Sequence, residues 1–308
     1  MKPSCLPHRL TDIDNVARSL REHVAALTVS IGERSPRRPK NLAAAAAYIH
    51  AALEGFGLDV TSEAYRYKNH TVSNVFSEIK YLATSSRRYL LGAHYDTVPG
   101  TVGADDNASG VAVLLETARG LKRIGANRPM DTLVRCVAFT LEERPAFWTP
   151  QRGSLVHAKG MRRKGETLDG MICLESVGFC NPLPGSQRFP FPLMHLNYPS
   201  SGDFLALVSD GKSRVLATSI QSAFQKNPGI PVYRLTVPAR GWLTPFVRRS
   251  DHVSFWDMGY KAVLITDTAD YRNPHYHQPS DTMEKLDYPF MARLVESLIR
   301  FFTSSGGR

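Results

Sequence analysis

The stretch LLGAHYDTVPGTVGADDNASGVAVLLE, Leu90–Glu116, limits the fold more than any other part of the chain. An apolar run delivers His94 and Asp96, then the adjacent pair Asp105 and Asp106, and then a helix-like apolar repeat. Carboxylates buried side by side repel each other, and the cost is prohibitive unless something cationic holds them. The stretch therefore asks for a cation. Other parts of the fold must supply the remaining ligands.

The surrounding chain supports a sheet between helical layers. Helical spacing runs over Ile13–Ala26 and Lys40–Gly55, with Gly55 and Gly57 as stops. Strands are expected at Val75–Ile79, Tyr89–Ala93, Leu133–Thr140, Met171–Glu175, Phe204–Val208 and Ala262–Thr266. Helices are expected at Ala108–Arg123, Ser154–Lys164, Ser213–Gln225 and Tyr288–Phe302. Continuous apolar strands such as LVRCVAFT imply burial on both faces, as in a mainly parallel sheet. The five prolines of Asn181–Pro199 exclude an interior helix or strand, and the segment is too apolar for a disordered linker. With no repeat and no break in composition, residues 1–308 read as a single α/β domain, its first 60 residues helical and packed on the rest.

Composition narrows the function classes. The net charge of +10 sits in short clusters, RSPRRPK and KGMRRKGE, with no recognisable nucleic-acid module beside them, so a solvated surface is the better reading. Four cysteines, Cys5, Cys136, Cys173 and Cys180, do not make a disulfide framework in a chain of 308 residues. Cys136 and Cys173 lie in apolar runs and read as buried thiols. No apolar run is long enough for a signal peptide or a membrane span, and a soluble cytoplasmic protein is expected.

The chemistry gathers at strand ends, where open α/β sheets collect ligands. His94 and Asp96 follow one strand, Glu142 and Glu143 another, and Glu175 a third. His275 and His277 come after the last, and Asp105 and Asp106 sit just before a helix. Singly, an aspartate before a helix is usually an N-cap, and a lone histidine usually packs. Together these residue types suit zinc, which takes imidazole nitrogen and carboxylate oxygen. Two divalent ions about 3.5–4 Å apart can share a hydroxide for hydrolysis. Three carboxylates leave such a pair one positive charge, which one hydroxide cancels, and a further carboxylate outside the set can act as general base. Adjacent Glu142 and Glu143 would divide those tasks only if a turn re-aims them, because successive extended residues point opposite ways.

The ordered set GAHYDT, GADDNASGVA, FTLEE, CLESVGF, RRSDHVSFW and HYHQPSDT resembles the co-catalytic di-zinc aminopeptidase family, whose members include aminopeptidase Y and relatives of glutamate carboxypeptidase. The resemblance runs from about Val75 to the C-terminus and implies a zinc exopeptidase-like αβα sandwich, with a central mixed, mostly parallel sheet, holding two Zn2+. It assigns His94 and Glu175 to one zinc, Glu143 and His277 to the other, and Asp105 as the bridge between them. It makes Glu142 the general base, has Asp96 orient His94, and implies a cis peptide bond after the bridging aspartate, at Asp105–Asp106. Asp251 and His252 fall near the expected mouth, where a cap is the bland alternative. His277 is preferred to His275 because it precedes the matching QPSDT. His8, His23, His50, His70, His157 and His195 have no metal-like company.

Two departures stand out. Much of the family has aspartate where this chain has Glu175, and one more methylene can be absorbed by backbone position. The family's glycine-containing turn after EE is replaced by the longer EERPAFWTPQRGS, which is expected to shape the pocket rim with Trp148. No match is evident for the relatives' oxyanion-stabilising side chain.

The leading expectation is an exopeptidase that hydrolyses N-terminal residues from peptides, with a peptide or amino-acyl substrate and neither nucleic acid nor membrane as partner. Glutaminyl cyclisation by one-zinc relatives of the fold is an alternative, as is another amidase activity. Glu175 to His277 leaves no room for the dimerisation domain of two-domain carboxypeptidases. A non-catalytic binding module would show replaced ligands, and here the set is intact.

Overall fold

The structure, a computed structural model, describes residues 11–82, 85–126, 130–227 and 229–304. Cys5 and His8 lie outside the described residues. Eight strands form one mixed sheet: β1 (Val60–Tyr67), β2 (His70–Ile79), β3 (Arg87–His94), β4 (Thr132–Phe139), β5 (Gly170–Glu175), β6 (Leu205–Asp210), β7 (Val232–Val237) and β8 (Ala262–Thr266). Their order is β1-β2-β4-β3-β5-β8-β6-β7. The central four, β4-β3-β5-β8, are parallel, so their carboxyl ends share one edge.

Side chains on these strands alternate between two cores. Leu91, Ile172, Leu174, Val263 and Ile265 face the larger one. Leu90, Met171, Cys173, Ala262 and Leu264 face the smaller. That two-sided burial is why the strands read as unbroken apolar runs.

Helices α1 (Ile13–Ala25), α2 (Pro39–Gly55), α3 (Gly110–Gly125), α5 (Arg214–Phe224) and α7 (Tyr288–Thr303) cover the first face, and α4 (Gly153–Arg163) and α6 (His252–Asp257) cover part of the second. In α1 the buried residues Val16, Leu20 and Val24 recur every fourth position, and the Asp12 side chain caps its start. The N-terminal helices share the larger core through Leu20, Val24, Leu42 and Ile49, and α1 packs on α3 and α7. No helix among the described residues is long and apolar enough to cross a membrane.

Three elements escape the sequence patterns. The edge strands β1 and β7 carry exposed polar residues instead of apolar runs, and α6 is too short to show a period. The proline-rich segment 181–199 contributes only a short 3-10 turn, Pro192–Leu196, as its prolines require. Cys136, Cys173 and Cys180 are free thiols, the first two buried.

Candidate metal centre

The shared edge of β4, β3, β5 and β8 brings the acids and histidines together. His94 is the last residue of β3 and Glu175 the last of β5. Glu142 and Glu143 follow β4 by a few residues, and His277 comes from the loop after β8. Left-handed backbone re-aims the chain beside them. Leu141 has φ 59°, Ser176 φ 47° and His277 itself φ 59°, conformations that non-glycine residues hold only where the surroundings enforce them.

The fifth contribution is Asp106. His94 Nε2 lies 3.2 Å from Asp106 Oδ1 and 3.2 Å from Glu175 Oε2. His277 Nε2 lies 3.0 Å from Asp106 Oδ2 and 3.4 Å from Glu143 Oε1. Two triads, His94–Asp106–Glu175 and Asp106–Glu143–His277, thus share one carboxylate, each through a different oxygen. Zinc ligands at about 2.0–2.1 Å in a tetrahedron stand about 3.3 Å apart, and these separations match. Both oxygens of Asp106, one oxygen of Glu143 and Nε2 of His277 are buried with no partner beyond these contacts, and one oxygen of Glu142 is buried with none. Such a set fits a pair of divalent cations.

Asp105, expected from the sequence to be the bridge, is turned away. Its oxygens accept hydrogen bonds from the Gly178 amide at 2.9 Å and Asn273 Nδ2 at 2.8 Å. The neighbouring carboxylate reaches the cluster because the backbone at Asp106 and Asn107 leaves helical geometry, turning the two side chains apart. The cis peptide bond is Asp106–Asn107, not Asp105–Asp106. Asp281 clamps this turn, accepting the Asp105 amide at 2.9 Å and the Asp106 amide at 3.2 Å. Gly103 enters it at φ 52°, where a Cβ would stand 2.2 Å from the Asp106 carbonyl oxygen.

Asp96 does not orient His94 through its carboxylate, whose nearer oxygen is 3.7 Å from His94 Nδ1. The Asp96 backbone carbonyl takes that position at 3.1 Å. The carboxylate instead accepts the amides of Glu142 and Glu143, each at 3.0 Å, and so holds the paired glutamates in place. Ser250 donates to Glu175 at 2.6 Å. His275 stands apart, with Nδ1 2.9 Å from the Ser280 hydroxyl. His252 is turned to the Val247 carbonyl at 2.9 Å, and Asp251, though it precedes α6, makes no side-chain cap.

The cluster shifts its own protonation. Burial pushes Glu143 up to about 8 and Glu175 to about 7, with Asp106 adding to both, and burial also holds Glu142 well above the carboxylate range. Burial opposes a charged His277, yet its close contacts with the Asp106 and Glu143 carboxylates raise it to about 10. Burial likewise opposes protonation of His94, and Glu175, Asp106 and Asp96 outweigh it. Asp106 is driven below its ordinary value by the two imidazoles in spite of burial.

Tyr276 was not evident from the sequence, although its place beside His277 was the available signal. Its ring stacks on His277 with centroids 3.9 Å apart. Burial, with Asp106 and Glu143 nearby, holds its phenol well above the ordinary range, so it stays a donor. Beside Glu175 and Tyr276 opens an apolar pocket, floored by Ala206, Val208, Leu235 and Leu264 and roofed by Phe189 and Met194. The segment after Glu143 does not line it, contrary to expectation. Trp148 is 70% exposed, and the rim comes from the proline-rich segment instead.

Residues 74–302 match the family described as Peptidase family M28. The chain belongs to that family. Membership places it among peptide-bond hydrolases. It is 35% identical to the uncharacterized protein YfbL of Escherichia coli, over 93% of this chain and 87% of that protein. It is 25% identical to a probable leucine aminopeptidase of Trichophyton verrucosum, over 80% of this chain and 62% of that protein. Its fold is similar to that of the LapA aminopeptidase of Legionella pneumophila, with a TM-score of 0.71 and 16% identity over 95% of this chain and 72% of the other.

Proposed function

We propose that the chain is a zinc-dependent exopeptidase that removes N-terminal residues from peptides, with Glu142 as general base and acid. The observation that carries this reading is the pair of triads sharing Asp106, with buried carboxylate oxygens that no donor outside the cluster meets. His94, Asp106 and Glu175 would hold one cation, and Asp106, Glu143 and His277 the other. When bound, the cations supply polarisation of the scissile carbonyl and a lowered pKa for water.

The chain's own groups do the rest. Glu142 has a free, buried oxygen within the cluster, on the stretch that Asp96 fixes. It takes the proton of the attacking water and returns it to the leaving amine. The Tyr276 phenol, held protonated, donates to the developing oxyanion. The apolar pocket beside Glu175 takes the N-terminal side chain. The names of two of these relatives, a probable leucine aminopeptidase and the LapA aminopeptidase, agree with this reaction.

The test is a panel of aminoacyl anilides and N-blocked peptides, assayed before and after chelation. Cleavage of free but not blocked N-termini, lost with chelator and restored by zinc, is expected. Cleavage unaffected by chelation would overturn the reading, and ammonia release from N-terminal glutamine without chain shortening would replace it with cyclisation.

A further inference from the structure

Arg34 lies before the residues that match the family, yet its side chain is fully buried behind the metal centre. Its Nε donates to the Tyr95 carbonyl at 2.7 Å. Nη1 meets the carbonyls of Val102 at 2.7 Å, Leu27 at 3.0 Å and Gly32 at 3.2 Å, and Nη2 meets that of Gly103 at 3.0 Å. Its backbone amide donates to the Thr97 hydroxyl at 3.1 Å. One guanidinium therefore ties the turn after α1 to both ends of the loop between β3 and α3.

Those two ends are the ones that matter for the cluster. Tyr95 follows His94 directly, and Gly103 opens the turn that carries Asp106. All five side-chain hydrogen bonds described above for Arg34 go to backbone carbonyls, an unusual use for a buried guanidinium, which ordinarily pairs with a carboxylate. Its charge is nonetheless felt by Asp96, Asp281 and Asp106. A planar fork that fixes five carbonyls cannot be replaced by an ammonium, which is a single point of donation.

We propose that Arg34 is a positioning residue of the metal centre, fixing the loop that presents His94 and Asp106 and thereby setting the affinity of both triads for divalent cations. The proposal rests on the metal-centre reading above. It makes the helical N-terminal part a component of the site.

The experiment measures zinc affinity by competition with a chromophoric chelator, alongside thermal unfolding, for the full chain. Arg34→Lys is compared with Ile49→Ala, a buried change in α2 that weakens the larger core. Arg34→Lys is expected to lower zinc affinity at least about tenfold and to reduce kcat with KM little changed, as supporting groups around a metal do when altered. Ile49→Ala should lower the melting temperature with affinity intact. Thr97→Val removes the acceptor of the Arg34 amide while keeping the guanidinium, and it keeps the test open if Arg34→Lys does not fold. Its affinity should also fall. Zinc binding at wild-type strength in a folded Arg34→Lys protein, or an equal loss in Ile49→Ala, would overturn the proposal; if Arg34→Lys does not fold, unchanged affinity in Thr97→Val would do so. A wild-type chain that binds less than one zinc would instead overturn the metal-centre reading itself.

Discussion

Two sets of buried acids gather around the same edge of the sheet, and they are treated in opposite ways. Asp96, Asp105, Asp267 and Asp281 each use both oxygens as hydrogen-bond acceptors, mostly from backbone amides. Asp106, Glu142 and Glu143 leave oxygens that no donor outside the cluster meets. A buried carboxylate whose lone pairs are met by N–H groups is part of the framework, since those bonds order a loop and offset part of the cost of burial, which still holds Asp105, Asp267 and Asp281 above their ordinary range. One left bare in the same environment must gain a proton or a cation. A bare oxygen alone does not mark a ligand, since Glu142 and Asp251 also have one; Asp106 and Glu143 are set apart because their bare oxygens also face an imidazole.

Exchanging roles across this divide gives the largest expected effect. Asp106→Ala should abolish activity and zinc binding at both triads, as read by turnover and metal analysis, whereas loss of zinc from an alanine variant of Asp105 with retention in that of Asp106 would reverse the assignment. Glu142→Gln should keep the metal and lower kcat by about 10²–10⁴-fold, with metal content and rate measured on one preparation. Asp105→Asn should keep zinc but set an amide N–H against the Gly178 amide or the Asn273 donor. A loss of about 1–3 kcal/mol in denaturant unfolding is expected, and unchanged stability would remove Asp105 from the framework set.

The mildest test is pH. In the metal-free fold Glu175 and Glu143 titrate at about 7 and about 8 against an ordinary 4.5, and His277 at about 10 against 6.5. A raised folded-state pKa gives stability that is full below the unfolded value and is lost as pH rises through the folded one. The melting temperature of chelated protein should therefore fall from about pH 4.5 to 8, with His277 extending the loss upward. In excess zinc the decline should vanish. A flat profile after chelation would mean that the bare acids are not protonated.

The sequence disclosed most of this wherever burial acts on long runs of residues. β3, β4, β5 and β8 are apolar throughout because both faces are covered, and their ends fix where the acids collect. β1 and β7 have one neighbour each and exposed positions, so no such run marks them. The choice between Asp105 and Asp106 was illegible for a different reason. Both are carboxylates before the same helix, and the decision is made by a backbone turn held from far along the chain by Asp281. Tyr276 and Arg34 were missed because each acts by a contact, a ring on His277 and a fork on distant carbonyls, that no local pattern encodes.

The floor of the apolar pocket is made of strands, not loops: Ala206 and Val208 on β6, Leu235 on β7 and Leu264 on β8. Its width is therefore a fixed ruler set by interstrand spacing of about 4.8 Å. Evolution can regrade which side chains fit by trading single floor residues, as Ala206 for something larger, while the reactive edge a few residues away stays untouched. Selectivity and chemistry are mechanically uncoupled in such a layout.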